Sequence, residues 1–377
     1  MKKLFCAFCI CVILAIAELP VCAKEVDTSA AAFVLYCADN GKVLLSANED
    51  RRLPMASTTK IMTTLLTLEA AAEENRVVEF TDEMTAEGSS MYLRKGEKVR
   101  LYDLAVGMMM QSGNDAANAA AIGIAGSIEG FSALMNEKAR EIGMSDTHFV
   151  TPSGLDDEAH YSTAHDMALL MTYALNNDDF AYLTAQTSME VHFVYPADRF
   201  VTYPNHNKLL RLYDACVGGK TGYTDQSGRC LVTAAKRDDI TLVAVTLDDP
   251  DDWDDHIALY DYGFENYTAV QPAAEGCALP VMGGAQEDVA LYSDDSQLLV
   301  IPKDSGDHIK TQTFLPSFAY APVEEGDIAG KIVYTLDGNV IGERPLYYSE
   351  SVASDNRKRG FFEWLKDLLR IRKTWHS

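Results

Sequence analysis

A serine and a lysine one helical turn apart can do chemistry that neither does alone, and Ser57-Thr58-Thr59-Lys60 is such a pair. Positions i and i+3 share a helix face, so Ser57 Oγ and Lys60 Nζ can meet. A serine hydroxyl is a poor nucleophile until a base takes its proton, and an ammonium cannot be that base. Burial, the positive end of a helix and a second nearby cation all lower a lysine pKa. Lys220, in Lys220-Thr221-Gly222, is the candidate for that second cation. The pattern points to nucleophilic catalysis, with Ser57 as nucleophile and Lys60 as its general base.

Ser-x-x-Lys by itself carries little weight, because a chain of this length contains about one by chance. The weight lies in the set and its order: Ser57-Thr58-Thr59-Lys60, then Ser112-Gly113-Asn114, then Lys220-Thr221-Gly222. Each also has a plain structural reading, as an N-cap, an inter-helix turn and a strand running into a turn. Together, at a helix start, a helix break and a strand end, they form the triple of serine β-lactamases and penicillin-binding proteins. Further segments extend it: Pro54-Met55-Ala56-Ser57, Ser112-Gly113-Asn114-Asp115-Ala116-Ala117, Thr151-Pro152-Ser153-Gly154-Leu155-Asp156, Ser162-Thr163-Ala164-His165-Asp166-Met167-Ala168, Asn205-His206-Asn207-Lys208-Leu209-Leu210 and Gly218-Gly219-Lys220-Thr221-Gly222-Tyr223-Thr224. On these residues the chain resembles the D-alanyl-D-alanine carboxypeptidases, the low-molecular-mass penicillin-binding proteins.

That resemblance implies a serine-type carboxypeptidase. It would remove the terminal D-alanine from peptidoglycan stem pentapeptides through an acyl-enzyme on Ser57, with β-lactam antibiotics as covalent inhibitors. Ser112 would bridge Lys60 to the leaving amine and relay its proton. Asn114, with a donor and an acceptor, would hold the substrate's backbone amide. Lys220 and Thr221 would bind the terminal carboxylate. Gly222 would remove a side chain where substrate lies along the strand edge. The resemblance further implies an oxyanion hole of the Ser57 and Tyr223 backbone N–H groups. No cofactor or metal is expected, since no C-x-x-C pair survives in the mature chain and no histidine spacing suits zinc.

Two departures stand out. Some relatives carry an arginine before the closing helix that assists with the carboxylate, whereas Asp248 to Asp255 is acidic and holds no Arg. Tyr223 follows Gly222 where some relatives have His. The nearest rival is a β-lactamase, but the region Thr151 to His160 lacks the Glu-x-x-Leu-Asn segment that drives class A deacylation, so slow deacylation of penicillin is expected. DD-endopeptidase action would use the same machinery. A non-catalytic wall-binding protein is the remaining alternative. His160, His165, His192 and His206 read as structural or surface residues, and Met108-Met109-Met110 as helix core.

The elements that must position these groups follow from periodicity. Phe33 to Tyr36 and Val43 to Leu45 flank Asn40-Gly41, a tight hairpin signal. Ile61, Leu65, Leu68 and Ala72 recur at helical spacing after Ser57. Helical patterns lie on both sides of Ser112-Gly113-Asn114, over Phe131 to Ile142, and from a Ser162 or Thr163 cap to about Leu175. Strands return at Val191 to Tyr195, Cys216 to Tyr223, Cys230 to Lys236 and Ile240 to Leu247, and Trp253 to Phe264 closes as a helix. The fold class is therefore α/β (α+β): an antiparallel sheet built from both ends of the domain, flanked by helices with a helical insert, β-lactamase/transpeptidase-like by resemblance. Beyond about Gln271, short β segments with Gly, Pro and Asp turns indicate a small all-β C-terminal domain.

The 377 residues carry a net charge of −24, which argues against a nucleic-acid partner. Lys2-Lys3, the apolar run Leu4 to Ala17 and Val21-Cys22-Ala23 read as a secretory signal cleaved after Ala23, with an uncleaved anchor or a lipoprotein at Cys22 as alternatives. From Asp355 onward seven Lys/Arg stand against three Asp/Glu, and Phe361, Trp364, Leu365, Leu368 and Ile371 recur at steps of three or four. This suits a helix lying on a membrane surface; docking on the body is the alternative. The expected organisation is 1–23 signal, 24–268 catalytic domain, 269–350 β-domain and 351–377 membrane-anchor helix, with the protein extracytoplasmic. Cys216 and Cys230 either bridge across their hairpin or remain free thiols.

Overall fold

The computed structural model describes residues 26–272, 277–293 and 298–355; the expected signal and nearly all of the expected anchor helix lie outside them. The catalytic domain opens with strands β1 (Ala32–Cys37) and β2 (Lys42–Ala47). There follow α1 (Lys60–Glu73), β3 (Val77–Glu79), β4 (Lys98–Arg100), α2 (Leu101–Gln111), α3 (Asn114–Ala125), α4 (Ile128–Ile142), α5 (Ala164–Ala174) and α6 (Asp178–Ala185). Next come β5 (Ser188–His192), β6 (Phe200–Pro204), α7 (Leu209–Leu212), β7 (Cys216–Thr224), β8 (Gly228–Arg237), β9 (Ile240–Leu247) and α8 (Asp252–Asn266).

The main sheet has the order β2-β1-β9-β8-β7 and is antiparallel throughout. Strands from both ends of the domain thus meet at β1 and β9, and the helical segment between β2 and β7 covers one face. All six residues of β1 are buried, because both of its faces are packed. Val34 and Tyr36 join Ile61, Leu65 and Met171 on the insert side. Phe33 and Leu35 join Leu259 and Tyr260 of α8 on the other. Alternation of side chains across the sheet produces this division. Met108, Met109 and Met110 are buried in the insert core. Ala116, Ala117, Ala119, Ala120 and Ala121 are buried too, small enough to let α3 approach its neighbours closely.

The β5–β6 hairpin differs from the expected single strand: β5 stops at His192 and pairs with Phe200–Pro204. Helix α6 was also absent from the sequence reading; Asn177 caps it by accepting from Phe180 N at 3.0 Å. The hairpin register excludes a Cys216–Cys230 bridge. The tight turn at 224–228 sets Cys230 opposite Gly222 and Cys216 opposite Ala235, so the two thiols lie far apart along the ribbon, and both are free.

The C-terminal domain is all β among its described residues, apart from one 3-10 turn. β10 (Tyr267–Val270) and β13 (Leu299–Pro302) pair with each other. β11 (Cys277–Met282), β12 (Asp288–Tyr292), β14 (Ile309–Phe314), β15 (Ala319–Tyr320), β16 (Ile328–Leu336) and β17 (Asn339–Tyr348) form a sheet in the order β14-β16-β17-β12-β11-β15. Its core includes Leu279, Val289, Leu299, Ile332 and Tyr334. Strand β10 runs across the expected boundary at 268/269. Bridges from Val352 to Val323 and from Ser354 to Gly284 keep the chain on this domain past the expected boundary at 350/351.

Candidate active site

The nucleophile turn is tighter than a plain helix start. Ala56–Thr59 form a 3-10 turn that runs into α1. Residues i and i+3 eclipse in a 3-10 turn, so Lys60 stands directly over Ser57. Lys60 Nζ lies 2.8 Å from Ser57 Oγ, 2.7 Å from Asn114 Oδ1 and 2.6 Å from the Ser153 carbonyl. Two of these partners can only accept, whereas the hydroxyl can also donate. A neutral amine therefore spends its two N–H bonds on Asn114 and Ser153, which turns its lone pair to the Ser57 proton. Lys60 is fully buried. Burial drives its ammonium well below the usual range, the Lys220 charge pushes the same way, and Asp115 opposes them.

The second motif breaks the helix as expected. α2 ends at Gln111, Ser112 takes a left-handed conformation at φ 58°, and α3 begins at Asn114. Such a conformation is costly for a non-glycine residue and here re-aims Ser112 into the cleft. Ser112 Oγ accepts from Lys220 Nζ at 3.0 Å, and that ammonium also donates to the Thr221 carbonyl at 2.8 Å. Burial lowers the Lys220 pKa to about 7. Without substrate, the side-chain partner of Ser112 is Lys220. Asn114 Oδ1 accepts from Lys60 and its Nδ2 donates to the Glu87 carbonyl at 2.6 Å, which leaves one N–H of the amide for a further partner. These bonds hold Lys60 Nζ, because the start of α3 faces α1 and the segment before β4.

Gly222 also has a role within the fold. A Cβ there would lie 3.0 Å from Met55 O and 3.1 Å from both Ala56 Cβ and Ser57 N. Its bare backbone lets β7 touch the nucleophile turn, which brings the Tyr223 end of the strand beside Ser57 N. Tyr223 itself points outward, 63 % exposed. Ser57, Ser112, Thr221, Gly222 and Tyr223 share an open cleft of about 320 Å³. His206, Lys208, Arg229, Asp252 and Trp253 line it too; none was singled out for chemistry from the sequence. His206, expected to be a structural or surface residue, is exposed and lines the cleft.

The Thr151–His160 segment supports Lys60 from behind. Pro152 O accepts from Thr63 Oγ1 at 2.6 Å, next to the Ser153 contact with Lys60. Gly154 has φ +81°, and a Cβ on it would fall 1.9 Å from Ala56 O, so only glycine fits against the nucleophile turn. His160 is buried: its Nδ1 accepts from Val150 N at 2.9 Å, and its Nε2 is 2.8 Å from Thr59 Oγ1. It is structural, as expected. Among the described residues no cluster of His, Cys, Asp or Glu could hold a metal.

Two family models match. One, described as D-alanyl-D-alanine carboxypeptidase, covers residues 20–251; the other, penicillin-binding protein 5, C-terminal domain, covers 264–354. The chain is 33 % identical to D-alanyl-D-alanine carboxypeptidase DacC of Escherichia coli, over 94 % of this chain and 91 % of that one. It is 31 % identical to DacF of Bacillus subtilis, over 91 % and 90 %. Among solved structures it is similar to penicillin binding protein 5 from Haemophilus influenzae, with a TM-score of 0.76 and 27 % identity, covering 87 % of this chain and 98 % of that one.

Proposed function

The chain belongs to the D-alanyl-D-alanine carboxypeptidases of the penicillin-binding protein family, and on that premise we propose that Ser57 is its nucleophile and Lys60 the base that activates it. Ser57 Oγ attacks the carbonyl of the penultimate D-alanine while neutral Lys60 takes the hydroxyl proton. The N–H groups of Ser57 and Tyr223 receive the oxyanion. As the C–N bond breaks, Ser112 relays the proton taken by Lys60 to the departing D-alanine amine, while the Lys220 ammonium 3.0 Å away holds the Ser112 hydroxyl in place. That transfer leaves Lys60 neutral, and water hydrolyses the ester with Lys60 again as base. Lys220 and Thr221 hold the substrate's carboxylate end, while Asn114 fixes Lys60.

The observation that carries this reading is a fully buried amine 2.8 Å from Ser57 Oγ, in a cleft whose far wall is Thr221-Gly222-Tyr223. The test is D-alanine release from stem pentapeptides: wild type releases it and Ser57→Ala does not. Release that survives Ser57→Ala would refute the assignment. Slow deacylation of penicillin is supported by the cleft lining. Its one carboxylate among the described residues, Asp252, is committed to Arg229, so none stands ready to activate water. Penicillin should therefore leave a stable adduct on Ser57, and rapid turnover without an adduct would favour the β-lactamase reading.

Residues 1–23 as an export signal and the part of the expected anchor beyond Asp355 as a membrane-surface helix remain part of the proposal, resting on local charge and periodicity. Among the described residues no helix is long and apolar enough to cross a membrane. Phase partitioning of the mature protein with and without residues after Ser354 tests the anchor; equal partitioning into water would remove it.

A further inference from the structure

The acidic stretch before α8 lacks an arginine, yet the cleft does contain one. In the β7–β8 register Tyr223 pairs with Arg229 and Thr221 with Leu231. Directly opposed residues project to the same face, so Arg229 lies on the face of Thr221 and Tyr223 at the sheet edge. The start of α8 meets that face. There Arg229 Nη2 donates to both Asp252 carboxylate oxygens, at 2.6 and 2.8 Å, and its Cζ lies 5.8 Å from the centre of the Trp253 ring.

Asp252 is only 3 % exposed, whereas the Arg229 side chain keeps 42 % of its surface open and lines the cleft with Thr221. Asp252 uses one edge of the guanidinium. No protein acceptor among the described residues takes Nη1, and Nε is enclosed without a partner. A planar cation fastened by one edge beside Thr221 is prepared for a second carboxylate. Lys220 is less free for that task, because its Nζ is already bonded to Ser112 Oγ and Thr221 O.

Resting on the carboxypeptidase reading, we propose that Arg229 is a specificity-determining residue that receives the substrate's terminal carboxylate beside Thr221, with Asp252 and Trp253 as the residues that position it. The guanidinium reaches the cleft from strand β8. It thereby takes over the task that, in some relatives, falls to an arginine ahead of the closing helix.

The test compares two substrates, a diacetylated Lys-D-Ala-D-Ala peptide with a free C-terminus and the same peptide as its C-terminal carboxamide. The readout is the ratio of kcat/KM for acid over amide. In Arg229→Gln this ratio should fall by roughly 10- to 100-fold, the size of one lost charge-assisted hydrogen bond, through the acid alone. Arg229→Lys, which keeps the charge and loses the fork, should fall several-fold. It also serves if the Gln variant does not fold. Asp252→Asn should lower the same ratio. Because both rates scale with the amount of folded enzyme, the ratio is blind to partial unfolding. An unchanged ratio in Arg229→Gln and Arg229→Lys, with wild type active, overturns this proposal alone. No D-alanine release by wild type would overturn the carboxypeptidase reading and this proposal together.

Discussion

Acidification from pH 7 to 4.5 should cost this protein roughly 2–3 kcal/mol of folding free energy through the single side chain His160. Its imidazole is 3 % exposed, and burial pushes its pKa down to about 4. In the unfolded chain a histidine titrates near 6.5. Below about 6.5 the unfolded chain therefore binds a proton that the folded chain refuses. Stability from this group is complete above that pH and drains as pH falls toward 4, at about 1.36 kcal/mol per unit. The two units from 6.5 to 4.5 set the magnitude. The geometry explains the refusal: Nδ1 already accepts from Val150 N, and a proton there would face a donor.

The assay is urea denaturation of wild type and His160→Gln across that pH range. Glutamine keeps a neutral amide near Thr59 but cannot titrate. His256, buried and pushed down to about 3, acts in both proteins and cancels in the difference. The wild-type advantage at pH 7 should shrink by roughly 2–3 kcal/mol at pH 4.5. Parallel pH dependences in the two proteins would refute the argument.

Three other outcomes are expected. Lys60→Arg should slow acylation of Ser57 by penicillin at least about 10³-fold, because a guanidinium does not give up its proton; labelling at the wild-type rate would exclude Lys60 as the base. Gly222→Ala should lower kcat roughly 10-fold with little change in melting temperature, since its Cβ would press on Met55 O and Ser57 N and shift the reacting groups by a few tenths of an ångström. Lys220→Gln should move the rise of the acylation rate with pH to higher pH, because loss of the like charge lets the Lys60 pKa climb; an unmoved profile of penicillin labelling against pH would contradict that coupling.

The Ser57–Lys60 pair was legible because it depends on one turn of backbone, and spacing alone brings its members together. The β1–β2 hairpin, the α2–α3 break and the β7–β9 strands were legible for the same reason: turn chemistry and periodicity act over a few residues. The partners of each side chain were not. That Asn114 bonds Lys60 and the Glu87 carbonyl depends on the docking of α3 against α1 and the segment before β4. Whether Cys216 and Cys230 bridge was open in the sequence, and the register set by the turn at 224–228 decided it. That Gly222 also makes room for the nucleophile turn depends on how β7 meets residues 55–57, which no local pattern shows.

The sequence by itself determined which chemistry is present, a hydroxyl, an amine one turn away and a cationic strand, since residue type and local spacing are written in the chain. Only the tertiary structure decided which groups are spent and which remain open. Arg229 shows the difference. Its neighbours in sequence predict nothing, and it becomes a cleft cation because β8 pairs with β7 while α8 returns Asp252 and Trp253 to the same edge. Contacts between segments far apart in the chain are set by how whole faces pack, and no short window of residues encodes that.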